Sequence, residues 1–187
     1  EGKRAKYLYY PKSGKIKAYC LHEDGEDYIT NVYYAGDFIG YLPLLEDSPY
    51  ADSAAVLEEA ELVFVPKDEF LGAVYSDIRI AAKFIKLIAH NVQDKEERLL
   101  NLAYSSLRKR VAKGLVDLWT KIGRDEPSGR LLDISREDIA HYVGTATESL
   151  IRTLSDFKSE NILEIKEGKM RDRSRTSLNY SHITPTY

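Results

Sequence analysis

The sequence predicts an α+β chain: a front half of short antiparallel strands closed into a β-roll or barrel, one long helix, and a back half built around a helix-turn-helix. Three observations predict it. Residues 7–66 break into short runs rich in Tyr, Val and Ile, separated by glycine turns, the pattern of a small all-β body. Residues 78–104 contain neither Gly nor Pro and repeat apolar side chains every seven positions, the period of a long helix with one sticky seam. Residues 136–160 read as two short helices meeting at Gly144, the spacing of a helix-turn-helix.

Composition narrows the class. At 187 residues, 43% apolar and 30% charged, the chain can bury one large core or two small ones as a soluble protein. It has no run of about 18 apolar residues, so no membrane span is expected. Glu1-Gly2-Lys3-Arg4 does not resemble a signal peptide. The single cysteine, Cys20, excludes an internal disulfide framework and any all-cysteine metal or iron–sulfur site. These features predict a cytoplasmic protein. Among four scattered histidines and one cysteine no nucleophile–base pair or ligand cluster stands out, so no enzyme and no metal are expected.

Charge is unevenly placed. Residues 1–104 carry 12 Lys+Arg against 18 Asp+Glu, and residues 105–187 carry 15 against 12. An acidic front and a basic back suggest two domains, the second with an anionic partner.

Along the chain, "KIKAYCLH", "EDYITNVYY", "FIGYLPLL", "SAAVL" and "ELVFVP" read as the short strands of the roll. Ile16, Ala18 and Cys20 alternate with Lys15, Lys17 and Tyr19, as a half-buried strand requires. "PKDEFLGAVY" reads as a short helix, with Pro66 just before it and acids in its first turn. In the long helix that follows, Ile78, Ile85, Val92 and Leu99 recur every seven residues, and Ala81, Ile88, Lys95 and Leu102 follow each by three. Seven of these eight are apolar, which predicts a parallel two-stranded seam joining two copies. Lys95 is its polar exception, a residue able either to fix register or to hold an anionic effector between copies.

After a hinge at residues 104–106, a helix is expected over about 107–122, then the polar loop "GRDEPSGR" and a short extended "LLDIS". Ser135 with Asp138 three residues on predicts an N-cap. Gly144 suits the left-handed C-cap that closes this helix. Thr145 is expected to cap the next one, with body 146–160. Ile139, Val143, Leu150, Ile151, Leu154 and Phe157 would pack the pair. Thr147, Glu148, Ser149 and Arg152 would face outward at the start of the second helix. A recognition helix presents side chains to a major groove from that place. Glu accepts from cytosine N4, and Arg bridges guanine O6 and N7.

With "SGKIKAY", "GDFIGYLPLLEDSPYADSAAV", "LLNLAYSSLRKRVAKGLVDLW" and "ISREDIAHYVGTATESLIRTLSDFKSENILEI", the chain resembles the Crp–Fnr superfamily of bacterial transcription regulators over nearly its whole length. The resemblance implies a cyclic-nucleotide-binding-type sensor roll over 1–76, a dimerisation helix and hinge over 77–106, and a winged helix-turn-helix over 107–187. The wing would be "NILEIKEGKMR", turning near Glu167-Gly168, and "RSRTSLNYSHITPTY" a loose tail. The resemblance implies a roll that is N-terminally incomplete in this sequence, and leaves open a further domain such as a receiver. The implied partners are double-stranded DNA, a second copy and RNA polymerase. Phosphate contacts would come from Arg108, Lys109, Arg110, Ser135, Thr145, Lys166, Lys169 and Arg171.

The same resemblance places an effector pocket at Gly40, Tyr41, Leu42, Asp52 and Ser53, with Lys95 from the long helix. In relatives that bind cyclic AMP a Glu follows the Gly and takes the ribose; Tyr41 stands there. An Arg precedes the Ser and pairs with the phosphate; Asp52 stands there, and a carboxylate repels an anion. No cofactor is expected, the effector is unknown, and cyclic AMP is disfavoured. The rival expectation is a cyclic-nucleotide- or small-anion-binding signalling module that acts through protein contacts.

Overall fold

The computed structural model describes residues 1–21, 27–122, 131–166 and 169–172. The chain divides into two compact units, 1–101 and 102–187. The expected α+β class is found: antiparallel sheets, one long helix and a C-terminal helix-turn-helix.

In the first unit, β1 (Tyr7–Pro11), β2 (Lys15–Leu21), β3 (Asp27–Tyr33), β4 (Ser53–Glu58) and β5 (Leu62–Pro66) pair only antiparallel. β2 lies between β3 and β4, and β1 pairs with β5. Ile16 and Ala18 of β2 are buried as the alternation requires, but Cys20 is only half-buried. The pairing with β3 shifts between Ala18 and Tyr19, and such a bulge re-aims the side chains beyond it.

The run Phe38–Leu45 departs from expectation. Ile39 keeps a single bridge to Tyr9, and the chain then enters helix α1 (Tyr41–Glu46). Pro43 falls in the first turn of this helix, where the missing N–H would lack an intrahelical partner anyway. Helix α2 (Lys67–Ser76) starts after Pro66 as predicted, with Asp68 and Glu69 in its first turn. Tyr41, Leu44, Phe70, Val74 and Phe84 close one core with Ala5 and Leu8.

Helix α3 (Ile78–Tyr104) runs unbroken for 27 residues. It buries Phe84 in that core, and Ile80, Ala81, Leu87 and Ile88 pack against the same cluster. The two rows of the expected seam therefore differ in their surroundings. Ile78, Ile85, Val92 and Leu99 are 79%, 64%, 50% and 65% exposed and form a free apolar stripe. Ala81 and Ile88 face the roll instead. Lys95 lies on that roll side too, between Asn91, which bonds Tyr41, and Arg98, whose guanidinium donates to the Ile29 and Thr30 carbonyls at 2.9 and 3.0 Å. Leu102 lies 3.0 Å from where a Gly144 Cβ would stand. The other flank of the stripe is formed by Ala82, Ala89, Glu96 and Ala103, all exposed. The free stripe thus follows a 7/4 spacing rather than the expected 7/3. The reason is that the roll consumes the +3 flank for its own core.

In the second unit, α4 (Leu107–Ile122), β6 (Leu131–Leu132), α5 (Arg136–Val143), α6 (Thr147–Ser159), β7 (Leu163–Lys166) and β8 (Lys169–Asp172) follow. Their sheet has the order β6-β8-β7, entirely antiparallel. Val111, Leu115, Leu118, Leu132, Ile139, Leu150, Leu154, Phe157, Leu163 and Met170 are buried. α4 and α5 approach closely at Gly114: a Cβ there would lie 2.7 Å from Val143 Cγ2. The expected "GRDEPSGR" loop, the Glu167-Gly168 turn of the wing and the loose tail lie outside the described residues.

Candidate nucleic-acid interface

The turn between α5 and α6 is built by local rules. Ser135 Oγ accepts from the Asp138 amide at 2.9 Å and its hydroxyl lies 2.7 Å from Asp138 Oδ2, so the predicted N-cap is present. Gly144 sits at φ 73, ψ 56, a left-handed position that a side chain disfavours. The Gly144 and Thr145 amides both donate to the Ala140 carbonyl, at 2.9 and 3.0 Å. The Thr145 amide is thereby spent on closing α5. The N-cap of α6 is Ala146, with no side-chain cap, not Thr145 as expected.

α6 buries Leu150, Thr153, Leu154 and Phe157 and turns the opposite face outward. Glu148 and Arg152 are exposed, while Thr147 and Ser149 are half-buried. No hydrogen bond or ion pair engages Glu148 or Arg152 among the described residues. The helix pair thus leaves an acceptor and a planar five-donor fork free, one turn apart, on its first two turns. Ile151 is 46% exposed and takes no place in the core assigned to it. Helical spacing carried the signal: at 3.6 residues per turn Ile151 sits about 60° from Glu148 and about 100° from Leu150.

The basic residues fall into two sets. The Arg108 guanidinium is gripped within the unit by both Glu160 oxygens and stacks on Phe157 with its centre 4.6 Å from the ring centroid. Two of its terminal N–H groups are thereby engaged within the unit. Lys169 Nζ lies 2.8 Å from Asp133 Oδ2, tying β8 to the segment before α5. Lys109 and Arg110 are half-buried on the first turn of α4, and Lys166 is exposed on β7. The Lys109 amide reaches Ser106 Oγ at 3.4 Å and the Arg110 amide the Ser106 carbonyl at 3.0 Å, so Ser106 opens α4. Arg171 pairs opposite Glu164 and Leu131 in the sheet.

In the first unit the expected pocket residues lie at the start of α1 and of β4. Gly40 is the left-handed N-cap of α1. Tyr41 points into the core, against the Phe84 ring at 5.7 Å, with its hydroxyl bonded by Asn91. Burial pushes the Tyr41 phenol up, and the Asn91 bond partly opposes this. Leu42 packs on the same core. Asp52 accepts from Thr30 Oγ1 at 2.9 Å, and Ser53 opens β4. Cys20 lies nearby; burial and the Asp52 charge push its thiol up, while Lys95 pulls the other way.

Residues 1–77 match the family model of the cyclic nucleotide-binding domain, and residues 109–179 match that of the Crp-like helix-turn-helix domain. The chain belongs to the Crp–Fnr superfamily. Its Crp–Fnr relatives include the fumarate and nitrate reduction regulatory protein of Yersinia pestis, 27% identical over 169 residues, covering 88% of this chain. The chain spans 66% of that relative's length. The CRP-like cAMP-activated global transcriptional regulator of Mycobacterium tuberculosis is 26% identical over 171 residues, covering 90% of this chain and 76% of the relative. Among solved structures, FixK2 from Bradyrhizobium japonicum superposes with a TM-score of 0.85 over 100% of this chain and 91% of that one, at 24% identity. Crp–Fnr proteins are transcription regulators, not enzymes. No described helix is long and apolar enough to cross a membrane.

Proposed function

We propose that this chain is a homodimeric, sequence-specific DNA-binding transcription regulator. It reads an inverted-repeat operator by placing α6 of each copy in a major groove, and it does so without cyclic AMP. The observation that carries this reading is the exposed, unengaged pair Glu148 and Arg152 at the start of the second helix of the motif. Arg152 donates to a guanine and Glu148 accepts from a neighbouring cytosine. Thr147 and Ser149 flank them. Lys109, Arg110, Ser135, Thr145, Lys166, Lys169 and Arg171 hold phosphates, which fixes register without specifying sequence.

The free stripe of Ile78, Ile85, Val92 and Leu99 supports the second copy, since four large apolar side chains at heptad spacing have no use on a lone helix. Independence from cyclic AMP is supported by Tyr41, whose hydroxyl is already bonded inside the core, and by Asp52, whose charge opposes a cyclic phosphate. RNA polymerase is the remaining partner in this reading, and the cytoplasm its compartment. The test is selection of bound sites from random duplex DNA. The expected result is an inverted repeat whose affinity falls steeply with salt; absence of any enriched sequence would refute the reading.

A further inference from the structure

The free stripe of α3 repeats itself too closely to define one pairing. Ile78, Ile85, Val92 and Leu99 recur every seven residues and are exposed. Four positions on from each stand Ala82, Ala89, Glu96 and Ala103, also exposed. If such a helix slides along a parallel copy by seven residues, large apolar side chains still meet large apolar side chains, and alanines still meet alanines. These residues mark a face without fixing a register. Glu96 breaks the repetition.

Glu96 and its neighbour Lys95 lack partners within the chain. Both are exposed, and no hydrogen bond or ion pair engages either among the described residues. Opposite charges three or four residues apart on a helix stabilise one another. The positions at that spacing from Glu96 hold Val92, Gln93, Leu99 and Leu100, and those from Lys95 hold Asn91, Val92, Arg98 and Leu99. None supplies the opposite charge. Asp52 shares the surroundings of Cys20 with Lys95, yet its bond is to Thr30 Oγ1, at 2.9 Å.

A second copy supplies what the chain lacks. In a parallel pair of helices each seam side chain enters a hole made by four residues of the facing helix. For Glu96 in register, that hole is made by Val92, Lys95, Glu96 and Leu99 of the partner subunit. We infer that Lys95 and Glu96 form a charged layer that fixes the register of the α3 dimer, each Lys95 pairing with Glu96 of the partner subunit. This rests on the homodimer of the reading above. Two-fold symmetry repeats the contact, so the two acids near the axis are matched by two ammonium groups. A slip of seven residues sets one Glu96 among Ile85, Ile88, Ala89 and Val92 of the partner subunit, where its carboxylate loses water and gains no cation. The layer also engages Lys95, which leaves that ammonium unavailable to an anionic effector.

The experiment measures self-association of the full chain by sedimentation. Lys95→Glu turns the layer into four acids, and Glu96→Lys turns it into four bases. Each variant alone should dissociate at least about tenfold more readily than wild type, because two attractive pairs become repulsive. The difference should shrink in about 1 M salt. Mixed in equal amounts, the two variants should associate with each other about as tightly as wild type, since one helix then offers the acids and the other the bases. The exchange variant Lys95→Glu with Glu96→Lys should recover the dimer by itself. Both residues are exposed, and recovery in the mixture reports that each variant has folded. A wild-type dimer indifferent to either reversal, or reversed variants that stay apart when mixed, would overturn the inference and leave the homodimer standing. A wild-type chain that remains monomeric at every concentration would overturn the homodimer, and the inference would fall with it.

Discussion

Arg108 at the start of α4 and Glu160 at the end of α6 form a two-pronged ion pair across 52 residues of sequence, with Phe157 beneath the guanidinium. The pair ties α6 to α4. Arg108 is partly covered, with 29% of its side chain exposed against 46% for Glu160.

Arg108→Ala should therefore act on stability. An exposed ion pair contributes at most about 1 kcal/mol, and a partly exposed cation–π contact adds about 0.5–1 kcal/mol. The expected loss is about 1–2 kcal/mol in a denaturant titration of the second unit. Arg108→Lys should recover only part of it, because an ammonium lacks the planar fork. The slope of DNA affinity against salt should stay unchanged for Arg108→Ala and flatten for Lys109→Ala.

The two flanks of α3 should separate by mutation. Ile85→Glu with Val92→Glu puts like charges on the free stripe, and sedimentation should then show monomers with an intact roll and weakened DNA binding. Ile88→Ala should leave the dimer and cost the roll about 2 kcal/mol, toward the low end for a core isoleucine because Ile88 is only partly buried. Dimers that persist in the double Glu variant would exclude the stripe as the main interface.

Titration calorimetry should register no heat from cyclic AMP at micromolar concentrations. Tyr41→Phe should lower the stability of the first unit by about 1 kcal/mol through loss of the Asn91 bond, and should not create nucleotide binding. Saturable binding of one nucleotide per copy would contradict the assignment of Tyr41 to the core.

Alkaline pH offers a separate handle on the β1–β5 face. The Tyr9 phenol is pushed up from 10.0 to about 12 by burial, by hydrogen bonding with Tyr50, and by the neighbouring Tyr50 and Tyr7 charges. A raised folded-state value favours the protonated form in the folded protein. Its stabilisation is therefore complete below pH 10.0 and lost as pH rises through about 12. Spectroscopic titration of Tyr9→Phe should show less loss of stability over that window than wild type.

Much of this architecture was legible because its signals are local. Ser135 with Asp138, and Gly144 after Val143, mark helix ends by chemistry that acts within a few residues. The misreadings share one cause: a periodic pattern names a face but not the neighbour that claims it. Ala81 and Ile88 fit a dimer seam by spacing, and the spacing did not show that the roll core also packs against them. Ile151 stands next to Leu150 in sequence but a quarter-turn away on the helix. Tyr41 was legible as a departure from the ribose-binding pattern, but its place against Phe84 was not. Arg108–Glu160 and Lys169–Asp133 join distant segments, and no short window of sequence contains them.

The central claim, that α6 reads base edges through Arg152, is tested most directly by a binding profile. Affinity is measured for wild type and Arg152→Ala over every single-base variant of the selected operator. The expected result is a loss of about 1–3 kcal/mol per half-site and a vanished preference at one guanine, with the other positions still discriminated. A uniform loss, with every base preference intact, would show that Arg152 holds the backbone and would contradict the account.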